Sequence, residues 1–134
     1  MSVVVDASIV VAVLVDTGAP GVWAEKLVAE HTLVAPELVF VEATNSLRRL
    51  ELSNHVTTTE ANLAQAELMR IDVEMLPYEP FAERIWTLRK AMTSYDAWYV
   101  AIAEALDLPL ATLDKRLVKS NGPKCKFLTV AAPI

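Results

Sequence analysis

Short β-branched runs alternate along this chain with longer stretches of helical periodicity, and that alternation constrains the fold more than any other feature. The run at residues 2–5 predicts a strand closed by Asp6. Extended through 8–15 it would be too long for a strand, so the chain is expected to break near Ala7 into a helix. Further helices are expected over 20–30, with Pro20 in the first turn, and over 36–52, opened by Pro36. A helix over 57–70 has Thr57 or Thr58 as cap, with Glu60 completing a capping box. Three more are expected over 80–91, over 94–106 with Ser94 as cap, and over 115–119. Strands are expected over 32–35, 73–76, 108–112 and 126–130. Strands separated by helical crossovers pair in parallel. The fold class is therefore α/β, one domain over 1–134 with a central parallel sheet flanked by helices on both faces.

At 134 residues the chain can bury roughly 70% of the surface its unfolded form exposes, enough core to fold without a structural metal. A single cysteine, Cys125, excludes an internal disulfide and a cysteine zinc cluster. His31 and His55 are too far apart in sequence to suggest a histidine metal site. Only three glycines are present, and neither GxxxxGK[ST] nor GxGxxG occurs. The longest apolar run, residues 9–15, is far short of the roughly 20 residues that cross a bilayer. No signal peptide and no membrane association are expected, and the compartment expected is a reducing cytosol. The mean hydropathy of +0.35 fits a sheet buried on both faces, with an apolar partner interface as a second contribution.

Ligands of open parallel sheets bind outside the carboxyl ends of the strands. Four acids stand where that rule points. Asp6 closes the first strand, Asp114 follows the strand over 108–112, and Asp96 lies in the first turn of its helix. Glu42 interrupts an apolar stretch at the edge of the stripe Val39, Ala43, Leu47 and Leu50, with Asn45 one turn on and Arg49 two turns on. Each has a plainer reading. Asp6 and Asp114 could cap helices, Asp96 could complement a helix macrodipole, and Glu42 could pair with Arg49. If the strands bearing Asp6 and Asp114 are neighbours, those two acids come together, and Asp96 and Glu42 start on helices that pack beside the same strand ends. Carboxylates about 5 Å apart repel by roughly 3 kcal/mol per pair at an effective dielectric near 20, so such a cluster takes up protons or a cation. With oxygen donors alone that cation would be hard, Mg²⁺ or Mn²⁺.

Four motifs in order carry a family resemblance. They are Val5-Asp6-Ala7-Ser8; Pro36-Glu37 leading to Val41-Glu42-Ala43-Thr44-Asn45-Ser46-Leu47-Arg48-Arg49; Tyr95-Asp96-Ala97-Trp98-Tyr99-Val100-Ala101-Ile102-Ala103; and Leu110-Ala111-Thr112-Leu113-Asp114. Each is weak alone, but together they are specific, and the sequence resembles the PIN-domain ribonucleases, most closely the VapC toxins of toxin–antitoxin pairs. The resemblance implies a PIN-like fold and a catalytic, metal-holding quartet of Asp6, Glu42, Asp96 and Asp114 around one or two Mg²⁺ or Mn²⁺ ions. It implies supporting roles for Ser8, Asn45 and Thr112. It also implies an RNA substrate, a cognate antitoxin held by the helices over 36–52 and 57–70, which carry Leu50, Leu63, Leu68 and Met69, and a homodimer. Many relatives carry a further acid where this chain has Arg116. That departure bears on a second metal and leaves Arg116 either a contact to substrate phosphate or a solvated charge.

The chemistry so implied is hydrolysis of an RNA phosphodiester by a metal-activated water, which needs no side-chain nucleophile. The formal charge of −5 is adverse to RNA, but two divalent ions would bring it to −1 by adding four positive charges. Lys115, Arg116, Lys119, Lys124 and Lys126 crowd the last twenty residues, and with Arg48 or Arg49 near the site they could guide a phosphate backbone. Trp86, Trp98, Tyr95 and Tyr99 could stack on bases or fill core and interface. A haloacid-dehalogenase-type phosphatase would need a second Asp where Ser8 stands. A receiver domain would need an Asp where Pro77 and Tyr78 follow the strand over 73–76. The remaining alternatives are a stand-alone RNA-processing PIN nuclease and a non-catalytic PIN-like module binding RNA or protein.

Overall fold

A computed structural model describes residues 1–130 of the chain. Five strands form one parallel sheet. They are β1 (Ser2–Val5), β2 (Thr32–Pro36), β3 (Val73–Leu76), β4 (Leu110–Ala111) and β5 (Phe127–Leu128), in the order β3-β2-β1-β4-β5. Seven helices connect them: α1 (Ala7–Val15), α2 (Ala19–Glu30), α3 (Val39–Leu52), α4 (Thr58–Leu68), α5 (Ala82–Thr87), α6 (Ser94–Leu106) and α7 (Lys115–Lys119).

Val3, Val4 and Val5 are all fully buried. Successive strand side chains point to opposite faces, so both faces of β1 are covered. One cover is α6, which lies on β1, β2 and β4 with α5 against it. The other is built around α1, which packs on α2, α3 and α4. Ala97, Ala101 and Ala103 are small enough to let α6 sit close to the sheet. Burying each valine of β1 contributes about 1.5–3 kcal/mol.

The strand order places the site. The chain steps from β1 out through β2 and β3 on one side, then returns to place β4 on the other side of β1. Val4 pairs with Leu110 and Val5 with Ala111. The order thus reverses between β1 and β4, the position where open α/β sheets leave a crevice at their carboxyl ends. Asp6 and Asp114 emerge there.

Several elements differ in extent from the expectation. Pro36 does not open α3. It ends β2, in register with Leu76, and Glu37 donates its N–H to the Leu76 carbonyl at 3.1 Å before the helix starts at Val39. Thr93, not Ser94, caps α6, its hydroxyl accepting the Asp96 N–H at 3.2 Å. The helix expected over 80–91 is a 3₁₀ turn at Glu79–Phe81 followed by α5, which ends at Thr87. There the Thr87 hydroxyl bonds back to the Arg84 carbonyl at 2.8 Å, and Arg89 and Ala91 donate three residues back, tightening the chain into turns. The capping box of Thr57 and Glu60 is present. The strands expected over 108–112 and 126–130 shorten to two residues each, with Pro109 unable to donate to a ladder. No single helix among the described residues is long and apolar enough to cross a membrane.

Candidate active site

Asp6 is the anchor. It is buried and caps α1, its Oδ1 accepting the Ser8 N–H at 3.0 Å and the Ile9 N–H at 3.4 Å. Two hydroxyls bracket it. Ser8 Oγ donates to Oδ1 and accepts the Leu113 N–H at 3.0 Å. Thr112 Oγ1 donates to Oδ2 and accepts the Asp114 N–H at 3.0 Å. The loop after β1 and the loop after β4 are thereby joined through one carboxylate. Burial pushes the Asp6 carboxyl up to about 6 despite the bonds from Ser8, Thr112 and the two N–H groups.

Glu42 lies in the first turn of α3, half-buried. It does not pair with Arg49, whose Nη2 lies 3.3 Å from Ser46 Oγ. Its partner is the Tyr99 hydroxyl on α6, which donates to Oε1 at 2.6 Å. Burial raises the Glu42 carboxyl, with the Asp96 charge adding to it and the Tyr99 bond opposing. The Tyr99 phenol is held well above its ordinary range by burial and then by Glu42, Asp6 and Asp96, so it remains a donor. Asp96 is also raised, first by burial and then by Asp114, with Arg116 and the Thr93 bond opposing. Asp114 caps α7, accepting the Arg116 N–H at 2.9 Å and the Leu117 N–H at 3.4 Å. Glu42 thus feels Asp96, and Asp96 feels Asp114, although Asp6, Asp96 and Asp114 also occupy the helix starts their plainer readings assign them.

Two openings lead to these groups. Thr93, Asp96, Asp114, Arg116, Leu117 and Ser120 line a cleft. Arg116 is exposed, its Nε 3.7 Å from Asp114 Oδ1. A longer groove runs from Ser8 and Leu113 between α1 and α3, past Ser46 and Arg49 to His55. Arg48 and Asn45 are exposed on α3, and neither enters the network around Asp6.

The donor set suits a hard divalent cation: carboxylate oxygens, partly desolvated, mutually repelling and without a buried arginine or lysine to cancel them. The side chains do not form a finished cage. Among the described residues, no three carboxylates stand close enough to hold one ion as placed. Asp6 and Glu42 are held by neutral hydroxyls, and Asp114 by the α7 amides with Arg116 nearby. Closing around an ion would take side-chain rotation of the exposed members.

Tyr99 fills the core, as one of its two sequence readings has it, but neither reading foresees its bond to an acid. Its position on the apolar face of α6 marks it as core, and nothing in the sequence aims its hydroxyl at Glu42, 57 positions away. Trp86 and Tyr95 are exposed, Trp98 is half-buried and stacks edge-on against Tyr78. Leu63 and Met69 are exposed on and just after α4, whereas Leu68 is buried.

A five-stranded parallel sheet with acids at its central crevice defines a class. Residues 3–122 match the family model of the PIN domain. Ribonuclease VapC1 of Mycobacterium tuberculosis is 38% identical over 128 residues, covering 95% of this chain and 96% of that protein. The chain belongs to the PIN-domain family, among the VapC ribonucleases. Solved structures share the fold. The crystal structure of M. tuberculosis VapC20, a sarcin-ricin loop cleaving toxin, has a TM-score of 0.65 at 18% identity, covering 87% of this chain and 92% of that one. VapBC2 from Rickettsia felis, bound to a DNA fragment from its promoter, also reaches 0.65, at 14% identity over 98% of this chain and all of that one.

Proposed function

We propose that this chain is an endoribonuclease that hydrolyses RNA phosphodiesters with Mg²⁺ or Mn²⁺, and that it is the toxin of a toxin–antitoxin pair. The observation that carries the reading is the joining of the strand-end acids Asp6 and Asp114 through Thr112 at the β1–β4 crevice, with Glu42 and Asp96 partly buried beside them and, among the described residues, no buried arginine or lysine to balance them. The 38% identity to Ribonuclease VapC1 supports RNA as substrate. The solved VapBC-5 of Mycobacterium tuberculosis, described as a member of the VapBC family of toxin–antitoxin systems, supports an antitoxin partner. A homodimer and an antitoxin seat along α3 and α4 fit the exposed Leu63 and Met69.

The four acids would hold the metal. Bound there, it would lower the pKa of water and offset the charge that gathers on the phosphoryl oxygens. The chain supplies the rest. Ser8 and Thr112 fix Asp6 between two loops, and the α7 amides fix Asp114. Arg116, at the mouth of the cleft, faces an incoming phosphate, and Arg49 lies along the groove from Ser8. Arg48 is exposed on the same helix and would act through long-range attraction. Asn45, one turn from Glu42, is free to meet substrate. Induced expression in a bacterial host tests the toxin role. Growth arrest by the wild type, absent with Asp96→Asn and relieved by a co-expressed antitoxin, supports it; uninterrupted growth removes it.

A further inference from the structure

We infer that Tyr99 is a positioning residue of the acid cluster, acting through Glu42. The inference rests on the acids being a cation site, and it assigns the part that holds one of them in place.

Tyr99 is the largest fully buried side chain among the described residues, with 1% of its surface exposed. A phenylalanine would fill the same space on α6 without a polar atom, and burying a hydroxyl costs free energy unless it is bonded. That hydroxyl is spent on Glu42, a half-buried acid on α3, at 2.6 Å. The bond crosses from one helix to another, so it orients the carboxylate against a part of the core that cannot move with α3.

The kind of donor matters as much as its place. Arg49 lies two turns along the same helix and would bond a carboxylate more strongly, yet it is turned to Ser46. A guanidinium would cancel the charge of Glu42 and compete with an incoming cation. A phenol directs one oxygen and leaves the negative charge in place. Asp6 is treated alike, by the hydroxyls of Ser8 and Thr112 and by backbone N–H groups. Outer partners of this kind are typically worth 10- to 100-fold in metal affinity.

The test is Mn²⁺ binding to the full chain without RNA, read by electron paramagnetic resonance, for wild type, Tyr99→Phe, Glu42→Gln and the double variant. Tyr99→Phe is expected to weaken Mn²⁺ binding by about tenfold or more, with a melting temperature in EDTA within a few degrees of wild type. In the Glu42→Gln background it is expected to add nothing. Wild-type affinity in Tyr99→Phe overturns the inference. So does an equal further loss in the Glu42→Gln background, which would make Tyr99 act through the fold. If the wild type itself takes up no Mn²⁺, the cation site falls and the inference with it, a result distinct from binding that ignores Tyr99.

Discussion

The hydroxyl of Thr112 donates to Oδ2 of Asp6 and accepts the N–H of Asp114, so one fully buried side chain ties the ends of β1 and β4 together. Thr112→Val keeps the volume but leaves the Asp114 N–H without its partner and removes one of the bonds that offset the burial of Asp6. A loss of about 1–3 kcal/mol is expected in urea unfolding. Thr112→Ser, which restores the hydroxyl, should recover most of it. No loss in the valine variant would mean that the bond contributes nothing net.

Asp6 gives the site a pH signature. Its carboxyl moves from an ordinary 3.8 to about 6, so the folded chain holds that proton more tightly than the unfolded one. Stability from this group is therefore greatest below the unfolded value and declines as pH rises from about 4 to about 6. Two units correspond to about 3 kcal/mol. Asp6→Asn cannot ionise and remains an adequate helix cap. Its stability relative to wild type in EDTA should rise over that window and level off above it. Glu42 and Asp96 are raised too, but they are common to both proteins and drop out of the difference. A difference flat from pH 4 to 7 would contradict the assignment.

Gly21 marks a tight corner between α1 and α2. A Cβ there would stand 1.8 Å from the Asp16 carbonyl oxygen, where α2 turns back against the end of α1 at 110°. Backbone, unlike a side-chain tip, cannot swing aside. Gly21→Ala is expected to cost more than about 2 kcal/mol, although alanine favours helix elsewhere. Thermal melting would show it, and an unchanged melt would mean the corner opens freely.

Arg84 clasps the far side of the fold. It meets Glu104 through two bonds, at 2.7 and 3.0 Å, and donates to the Gly122 carbonyl at 2.8 Å. Glu104 also accepts the Lys124 N–H at 2.7 Å. Arg84→Met keeps the aliphatic stem but strands a mostly buried carboxylate. A loss of about 1–3 kcal/mol is expected in urea. Glu104→Gln on the same background should restore part of it. Because this clasp is remote from the acids, Mn²⁺ affinity should stay as in wild type.

How much of this was legible in the sequence depends on distance. Asp6 and Asp114 could be picked out because they end apolar runs, and the parallel pairing of β1 with β4 brings them to one crevice. Glu42 could be picked out as a charge within an apolar stretch. Its partner could not, because local pattern favours Arg49 on the same helix face, whereas tertiary packing delivers Tyr99 from α6. Pro36 shows the limit of a local rule. Proline suits the first helical turn, but here it completes β2 because β3 offers it a register partner, Leu76. Thr93 and Ser94 are adjacent hydroxyls, and only the geometry of the turn to the Asp96 N–H decides which one caps. Arg48, Arg49 and Arg116 could be located but not assigned, since an exposed arginine takes its role from what it meets.

The most direct measurement is cleavage of a total-RNA pool by the purified chain, with Mg²⁺, with Mn²⁺ and with EDTA, alongside Asp96→Asn. Discrete fragments are expected with either ion, none in EDTA and none from the variant. Cutting that survives EDTA, or that Asp96→Asn performs at the wild-type rate, would contradict a metal-dependent ribonuclease built on these four acids.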